Sequence, residues 1–368
     1  MFKHKNPIFF LFLFCFLNIP LLSQVITIDS HIDIPFDYME NPQHDPGKIT
    51  DMQVDLDKMK KGGLDSGFFV VYVPQGPLDK AGFEKAKLLA EKKFLAISKM
   101  TKTYSNQIGL ALAPEDIIQL KNNNLLSAAI GIENGYVIGE DLSLLDHYYS
   151  LGARYMTLTH IGHNQIADSS IPSKRLNDEE ELHGGISAFG KKAIKRMNKL
   201  GMMIDISHIS DKASLEAIKL SSAPVIASHS CVKSIADHPR NISDELLFAL
   251  KENEGVIQIT AFANYVKVNN DRFNSIISLG NKVAQLYGDN SFNPSLHSNK
   301  REYLEGIENI NMEFPMPDID DFIDHIDYVV DLIGVDYVGI SSDFGGGGGI
   351  SGWMDASETK LLPRKLKE

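Results

Sequence analysis

Short apolar runs alternate with helix-like segments along almost the whole chain, and this alternation most constrains the fold. Eight runs are apolar over most of their length, as strands buried on both faces are. They are residues 25–29, 68–73, 128–133, 155–160, 202–207, 224–228, 255–260 and 337–342. Predicted helices fall between them, at residues 80–101, 114–122, 142–151, 186–200, 211–220, 243–251 and 317–333. Eight strand–helix repeats favour a closed (β/α)8 barrel of TIM type over the alternative, an open doubly wound sheet.

The segment from residue 263 to residue 316 interrupts this alternation. It contains one predicted helix near residues 275–286, followed by a polar stretch. We interpret it as a long insertion over one barrel face, serving as a lid or an oligomer contact, with a plain surface insertion as the alternative. No internal repeat or low-complexity linker divides the chain, so residues 24–368 are predicted to form one domain.

The first 23 residues have the pattern of a secretory signal peptide. Lys3 and Lys5 give a basic start, residues 7–22 are almost wholly apolar, and the small residue Ser23 follows. The apolar run is too short for a comfortable membrane span, although an uncleaved N-terminal anchor is the alternative. We therefore expect an exported protein, periplasmic or secreted, with no stable membrane span after cleavage.

Charge and cysteine content narrow the classes of function. The chain has 36 basic and 48 acidic residues, a net charge of −12. Such a surface repels phosphate backbones, so nucleic-acid binding is not expected, whereas carboxylates are ligands that cations need. Cys15 lies in the predicted signal segment, so Cys231 remains alone and the exported domain is expected to have no internal disulfide.

Ionisable residues that rarely tolerate burial stand at the carboxyl ends of the predicted strands. These residues are His31, Asp33, Glu133, His160, His208, His229 and Asp343. In a (β/α)8 barrel the carboxyl ends of the strands form one rim, where active sites are built. We therefore expect these side chains to converge on one pocket. Each residue alone has an ordinary structural explanation, so the prediction rests on their co-location.

The spacing of five of these residues predicts a site for two cations. His31 and Asp33 are two residues apart on a strand, so they point to the same side and could bind one ion. His208 and His229 follow neighbouring strands and could hold a second ion. Glu133 has two oxygens and could bridge the two ions. Bridged ions lower the pKa of a shared water, and the resulting hydroxide can attack a carbonyl at neutral pH.

Three further side chains have predicted roles beside the ions. Asp343 could take a proton from the water and pass it to a leaving amine. His160 could donate to a developing oxyanion. Arg240 follows the sixth strand, and its guanidinium could clamp a substrate carboxylate, with a surface salt bridge as the alternative.

Two other kinds of active site have weaker support. The glycine run 345–349, with Gly352, satisfies a G-x-G-x-x-G spacing, but neither a clear helix nor a suitably placed acidic residue follows it. Ser207 and Ser230 stand beside histidines, but no G-x-S-x-G elbow occurs. Five other histidines fall in helices or loops and are expected to be structural: His147, His163, His183, His238 and His325.

Taken together, the motifs resemble those of the membrane (renal) dipeptidases and their bacterial relatives. The matching pieces follow the family's order and cover nearly all of the chain after the signal segment. They are DSHIDIP (29–35), QVDLDKMKKGG (53–63), GIENGY (131–136), YMTLTHIGHNQIADSS (155–170), GISAFGKKAIKRMNKLGMMIDISH (185–208), PVIASHS (224–230), HPRN (238–241) and VGISSDFGG (338–346).

This resemblance implies a (β/α)8 barrel of the metal-dependent hydrolase kind that holds two zinc ions. It implies that His31 and Asp33 bind one zinc ion. It implies that His208 and His229 bind the other and that Glu133 bridges the pair.

The resemblance also implies the reaction and the remaining roles. It makes Asp343 the proton-transfer carboxylate, His160 a contact to substrate and intermediate, and Arg240 a contact to the substrate carboxylate. The implied reaction is dipeptide hydrolysis, with tolerance for a D-residue at the C-terminal position. The alternatives are another metal-dependent amidohydrolase, acting on N-acyl amino acids, lactones or β-lactam-like amides, or a truncated inactive relative. A homodimer is an expected assembly that the sequence does not decide.

Two departures from the family pattern concern the end of the barrel. The family usually has Asp-Phe-Asp-Gly after the last strand, where this chain has Asp343-Phe344-Gly345-Gly346. The chain then ends at Glu368, whereas relatives typically continue through further helices, so the barrel is expected to lack its last helices. The seam between the last and first strands would then be uncovered.

Overall fold

Eight parallel strands form a nearly closed barrel in the computed structural model, which describes residues 25–290, 292, 297–298 and 300–362. In barrel order they are β1 (Ile28–Asp33), β2 (Ser66–Tyr72), β4 (Leu126–Glu133), β5 (Ala153–Thr157), β6 (Met203–Asp205), β7 (Ile226–Ser230), β8 (Val256–Thr260) and β9 (Val338–Ser341). A short additional strand, β3 (Ile108–Leu110), pairs with the first part of β4. The predicted signal segment, residues 1–23, lies outside the described residues.

Hydrogen bonds join the residues that directly follow β9 to β1 and so bridge the gap in the ring. The amide of Asp33 donates to the carbonyl of Phe344 at 2.8 Å. The fully buried carboxylate of Asp29 accepts from the amide of Ser342 at 2.9 Å. The predicted (β/α)8 architecture is therefore confirmed.

Helices cover the outside of the barrel. Their bounds are α1 (Leu56–Gly62), α2 (Lys80–Thr103), α3 (Pro114–Asn122), α4 (Ser143–Ser150), α5 (Ala188–Leu200), α6 (Asp211–Leu220), α7 (Asp244–Glu252), α8 (Ala263–Val266), α9 (Asn270–Leu286), α10 (Arg301–Glu313) and α11 (Ile319–Ile333). Short 3-10 helices lie at Pro42–His44, Gly135–Ile138, Lys174–Leu176, Val335–Tyr337 and Ala356–Leu361. Ser187, Ser210 and Ser243 cap α5, α6 and α7 by accepting first-turn amide hydrogens.

Several strand ends differ from the predicted ones, and the differences move the site residues. β1 runs to Asp33, so His31 and Asp33 lie inside the strand. β5 and β6 end at Thr157 and Asp205, earlier than predicted, which places His160 in a loop. At β1 the polar residues His31 and Asp33 interrupt the apolar pattern, so the predicted strand ended too early. At β5 and β6 the apolar residues Leu158 and Ile206 continue the pattern beyond the last strand pair, so the predicted strands ended too late.

Residues 263–316 contain three described helices, α8, α9 and α10, in place of the single predicted one. α9 packs against α10, where Arg272 Nη2 donates to Asn311 Oδ1 at 2.9 Å. The single-domain boundaries and the role of this insertion stay predictions.

The segment after β9 covers the seam between β9 and β1. Trp353 is fully buried, with its ring edge-on to Phe344 at 5.4 Å and to Phe322 at 5.6 Å. The 3-10 helix Ala356–Leu361 then packs on α1. The expectation of an uncovered seam is wrong, because apolar side chains on both sides of β9 bury Phe344 there.

Two further observations concern the sequence predictions. Among the residues with described structure, no helix combines the length and apolarity that crossing a membrane requires. Cys231 is a free, buried thiol that donates to the carbonyl of Thr260 at 3.2 Å. Burial raises the pKa of Cys231 to about 12, so the thiol stays protonated and unreactive at neutral pH.

Candidate metal centre and active site

All seven rim residues meet at the carboxyl end of the barrel, and their ligand atoms form three overlapping groups. Within each group the atoms lie within 4.8 Å of one another. The groups are His31–Glu133–His229, Glu133–His160–His208 and His31–Asp33–Asp343. The predicted convergence is therefore observed. Because Glu133 and His31 are each shared by two groups, the cluster has the connectivity that a pair of neighbouring cations needs.

Glu133 lies at the centre of the cluster and is 4% exposed. Its Oε1 lies 3.1 Å from His208 Nε2 and 3.4 Å from His229 Nε2. Its Oε2 lies 3.5 Å from His31 Nε2. The two carboxylate oxygens therefore face different histidines.

His31 is oriented by Tyr155, which lies behind it. The Tyr155 hydroxyl donates to the carbonyl of Ser30 at 3.0 Å, so it accepts from Nδ1 of His31, also at 3.0 Å. This assigns the free lone pair of His31 to Nε2, which is buried without a hydrogen-bond partner and lies 3.4 Å from Asp33 Oδ2. A buried lone pair facing carboxylates is unfavourable unless a proton or a cation lies between them.

His229 is oriented through the hydroxyl of Ser228. That hydroxyl donates to Asp205 Oδ2 at 2.6 Å, so it accepts from His229 Nδ1 at 2.8 Å. The other oxygen of the fully buried Asp205 accepts from the amides of Ser207 and Ser228 at 3.0 and 2.9 Å. Nε2 of His229 is thereby left free, 2.9 Å from Nε2 of His208.

Backbone strain occurs at two members of the cluster. His208 has a φ of +69° and Asp343 a φ of +56°, in the left-handed region that residues other than glycine seldom adopt. The surrounding main chain holds both, because His208 O accepts from the amide of Ser170 at 2.7 Å and Asp343 O from the amide of Gly348 at 2.8 Å. Such strain concentrates where function requires a particular side-chain position.

Burial and charge determine which cluster members hold protons. Burial disfavours charge on His31, but the carboxylates of Glu133 and Asp33 outweigh it and hold the pKa of His31 well above its ordinary value. Burial disfavours charge on Glu133 as well, yet the surrounding histidines hold the pKa of Glu133 well below its ordinary value. Burial and nearby positive charges lower the pKa of both His208 and His229. At His208 and His229 neutral imidazoles therefore lie beside the ionised carboxylate of Glu133, a donor set that fits zinc, whereas His31 would release its proton when a cation binds.

Asp343 is 7% exposed and lies against Asp33 and a glycine loop. Burial, reinforced by Asp33 and Glu133, holds the pKa of the Asp343 carboxyl well above its ordinary value. A Cβ at Gly346 would lie 2.4 Å from both Asp33 Oδ2 and Asp343 Oδ1, so only glycine lets this loop approach the carboxylates. Gln53 fastens the loop by accepting from the amide of Gly345 at 2.9 Å.

His160 and Arg240 border the cluster. His160 Nε2 lies 3.6 Å from Glu133 Oε1, and its side chain is 19% exposed. Arg240 is 2% exposed, donates from Nη2 to the carbonyl of His229 at 2.9 Å, and leaves its buried Nε without a partner. Its guanidinium lies 5.3 Å from the ring centroid of Tyr265. Arg240 pairs with no carboxylate of the described chain, so the surface salt bridge considered as an alternative is wrong.

The five histidines expected to be structural lie outside the three groups. His163 accepts from the amide of Ser169 at 3.0 Å, and His325 accepts from the amide of Val232 at 3.1 Å. His147 bonds to Glu91, and His183 bonds to the carbonyl of Asn164. His238 accepts from the amide of Arg240.

Sequence reasoning missed the side chains that support the cluster from behind. Tyr155 and Ser228 orient histidines, and Asp205 in turn orients Ser228. An available signal was Asp205 itself, an acidic residue inside the apolar run MMIDIS. Tyr265 offered no signal, because it lies in the insertion and reaches Arg240 only through the fold.

Comparisons with known proteins agree with this geometry. The family model described as membrane dipeptidase (peptidase family M19) matches residues 18–368. The crystal structure of the probable dipeptidase PvdM from Pseudomonas aeruginosa is similar with a TM-score of 0.80 and 30% identity, covering 94% of this chain and 90% of that chain. A metallopeptidase from Rhodobacter sphaeroides, solved with a phosphinate mimic of the dipeptide L-Ala-D-Ala, shares the fold with a TM-score of 0.71 and 20% identity, over 93% of this chain and 92% of that one.

Curated relatives also carry dipeptidase names. Dipeptidase verJ of Clonostachys rogersoniana is 28% identical over 94% of this chain and 79% of its own length. Dipeptidase 3 of Mus musculus is 27% identical over 94% of this chain, which spans 60% of the mouse protein. On the family match across nearly its whole length, this chain belongs to peptidase family M19, the membrane dipeptidases.

Proposed function

We propose that the protein is a dinuclear zinc dipeptidase. One observation carries the proposal: the two oxygens of Glu133 face separate histidines, His31 on one side and the His208–His229 pair on the other. This geometry is what a carboxylate bridge between two cations requires.

The donor atoms fit two zinc ions. Asp33 and His31 offer an oxygen and an unpartnered nitrogen on one side of Glu133, and His208 and His229 offer two nitrogens on the other. Imidazole nitrogens and carboxylate oxygens are common zinc ligands. When bound, such a pair of ions lowers the pKa of a water and polarises the scissile carbonyl.

The remaining residues supply proton transfer and substrate orientation. Asp343, whose raised pKa lets it hold a proton, takes a proton from the attacking water and passes it to the leaving amine. His160, the most exposed histidine of the cluster, contacts the substrate and donates to the oxyanion. Arg240 binds the substrate carboxylate, because its buried guanidinium has no ion-pair partner among the described residues and its Nε is a donor without a partner.

A carboxylate-binding arginine beside the cluster favours substrates in which a free carboxylate lies one residue beyond the scissile amide. Dipeptides meet this requirement. We extend the proposal to dipeptides with a D-residue at the C-terminal position; the L-Ala-D-Ala mimic bound by the Rhodobacter sphaeroides relative supports this extension.

We also propose that the protein is exported, on the basis of the basic and apolar residues 1–23. N-terminal sequencing of the protein recovered from the periplasm or medium tests the proposal. Recovery of the uncleaved chain in the cytoplasm would contradict it. A homodimer stays a prediction, which sedimentation of the purified protein can test.

A substrate panel tests the proposed activity. We expect the zinc-loaded protein to hydrolyse L,L- and L,D-dipeptides with a higher kcat/KM than N-acyl amino acids, lactones or β-lactams. A preference for one of those classes would make the protein another metal-dependent amidohydrolase. No turnover of any class by folded, zinc-loaded protein would make it an inactive relative.

A further inference from the structure

A buried lysine on the cleft side of α2 has no polar partner. Lys93 is 2% exposed, yet it forms neither an ion pair nor a hydrogen bond with any residue that the structure describes. Its Nζ instead lies 4.6 Å from the ring centroid of Phe36 and 5.5 Å from that of Tyr72. Buried ammonium groups are rare in proteins unless they are paired.

Other lysines of the same helix are satisfied. The side chain of Lys92, the preceding residue, is 42% exposed and pairs with Glu40 at 2.9 Å. Lys99 donates to the carbonyl of Met39 at 2.7 Å. The absence of a partner at Lys93 is therefore a property of its position and not of the helix.

Both rings that contact Lys93 belong to the rim of the candidate active site. Phe36 follows β1 three residues after Asp33, and it remains 38% exposed. Tyr72 ends β2, and its ring lies 4.8 Å from that of His160. Lys93 therefore stands behind the side of the pocket formed by β1 and β2.

The barrel order places Lys93 and Arg240 on opposite sides of the metal-ligand cluster. β2 and β7 are four strands apart in a ring of eight, so Tyr72 and the loop that follows β7 face each other across the mouth. Arg240 lies in that loop. Glu133 contacts His229 of β7 at 3.4 Å and, on the other side, His160 at 3.6 Å, whose ring lies beside that of Tyr72. Arg240 thus lies on one side of the cluster, and Lys93, which has no ion pair, lies behind the rings of Phe36 and Tyr72 on the other side.

Electrostatics favour an incoming carboxylate at Lys93. Burial lowers the pKa of Lys93 to about 8, although Asp33 and Glu133 oppose the shift. The ammonium is still mostly charged at pH 7. The aromatic rings offset only part of the cost of burying this charge, and a carboxylate in contact with Nζ would offset more.

We propose that Lys93 is a specificity residue that binds an acidic side chain on the N-terminal residue of the dipeptide. The proposal rests on the proposed function, because it assigns the C-terminal carboxylate to Arg240 and so directs the N-terminal residue toward the β1–β2 side. The preferred substrates are then dipeptides that begin with glutamate or aspartate.

The test compares Glu-Ala with its uncharged isostere Gln-Ala on the zinc-loaded enzyme. A charge-assisted hydrogen bond contributes about 1.5–3 kcal/mol, so kcat/KM for Glu-Ala should exceed that for Gln-Ala by roughly 10- to 100-fold. In Lys93→Met the ratio should fall to about one, and in Lys93→Arg the preference should remain. Lys92→Met removes the same charge from a partly exposed site on the same helix and should keep the wild-type ratio. An equal rate on both substrates in the wild type, or an unchanged ratio in Lys93→Met, would overturn the proposal.

A binding measurement separates this proposal from the proposed activity. Calorimetric titration should detect tighter binding of L-glutamate than of L-glutamine to the wild-type protein and equal binding of the two to Lys93→Met. This result would support Lys93 as an acid-binding residue even if no dipeptide were hydrolysed, an outcome that would reject the proposed function alone. Equal binding of both amino acids to the wild type would reject the role of Lys93.

Discussion

His208 Nε2 lies 2.9 Å from His229 Nε2, and both atoms face one oxygen of Glu133. Two imidazole nitrogens this close share either a proton or a cation. Burial and nearby positive charges hold the pKa of both histidines well below the ordinary value, which disfavours the proton. The contact therefore favours a shared cation and places one of the two proposed zinc ions at this pair.

Replacing the bridging carboxylate should weaken both ions together. In Glu133→Gln one charged oxygen is lost and the two sides of the cluster lose their common ligand. We expect zinc affinity to fall at both positions by more than the roughly 100-fold typical of outer-shell changes. Metal analysis after dialysis checks this. Glu140→Gln, the same change at an exposed position, should keep the wild-type zinc content. Loss of only one ion from Glu133→Gln would mean that Glu133 does not bridge.

Asp343 should be needed for turnover but not for metal. Asp343→Asn keeps the size of the side chain and removes its ability to accept and release a proton. We expect kcat to fall by about 10²–10⁴-fold, the usual contribution of a general acid–base group. Zinc content should stay near that of the wild type. Asp336→Asn, an exposed change shortly before β9, serves as the control. If Asp343→Asn loses an ion, then Asp343 is a ligand, as its proximity to His31 and Asp33 allows.

Much of the site could be predicted from strand positions. His31 and Asp33 are two residues apart on one strand, and Glu133 ends another. The barrel rim therefore brings them together independently of the loop conformations. Short helices were harder to predict. α1 has its signals, since Asp55 caps its first turn and Gly63 ends it with a φ of +68°, but seven residues are too few to give a clear period.

The supporting residues could not be predicted because their roles depend on contacts between distant segments. Tyr155 bonds to His31 across 124 positions of sequence, and neither residue type indicates the other. Lys93 falls in a helix rich in lysine, where an exposed side chain is the ordinary expectation. The cover over the β9–β1 seam depends on Trp353, whose packing on Phe344 only the folded chain defines.

The hydrogen-bond relay Asp205–Ser228–His229 should affect metal affinity, although Asp205 and Ser228 do not contact the metal. Ser228→Ala removes the hydroxyl that links Asp205 to His229 Nδ1. Because outer-shell partners fix the ring and raise its basicity, we expect zinc affinity to fall by about 10- to 100-fold. Competition with a zinc chelator measures this. Ser222→Ala, at an exposed serine, should leave the affinity unchanged. Equal affinities in both variants would remove any role for the relay.

Arg240 should recognise the C-terminal carboxylate of the substrate. Arg240→Met removes the donors and retains an apolar stem against Tyr265. We expect kcat/KM for Ala-Ala to fall by roughly 10- to 100-fold, since hydrogen bonds to charged groups contribute about 1.5–3 kcal/mol. The wild type should discriminate by a similar factor against Ala-Ala amide, and the variant should not. A variant that still discriminates as the wild type does would place the carboxylate elsewhere.

Zinc titration of chelated wild-type protein tests the dinuclear account most directly. The protein is stripped of metal, zinc is added in steps, and hydrolysis of Ala-Ala is measured at each step. The account predicts no hydrolysis after chelation and full recovery at about two equivalents of zinc per chain. Hydrolysis that survives chelation, or recovery complete at one equivalent, would contradict it.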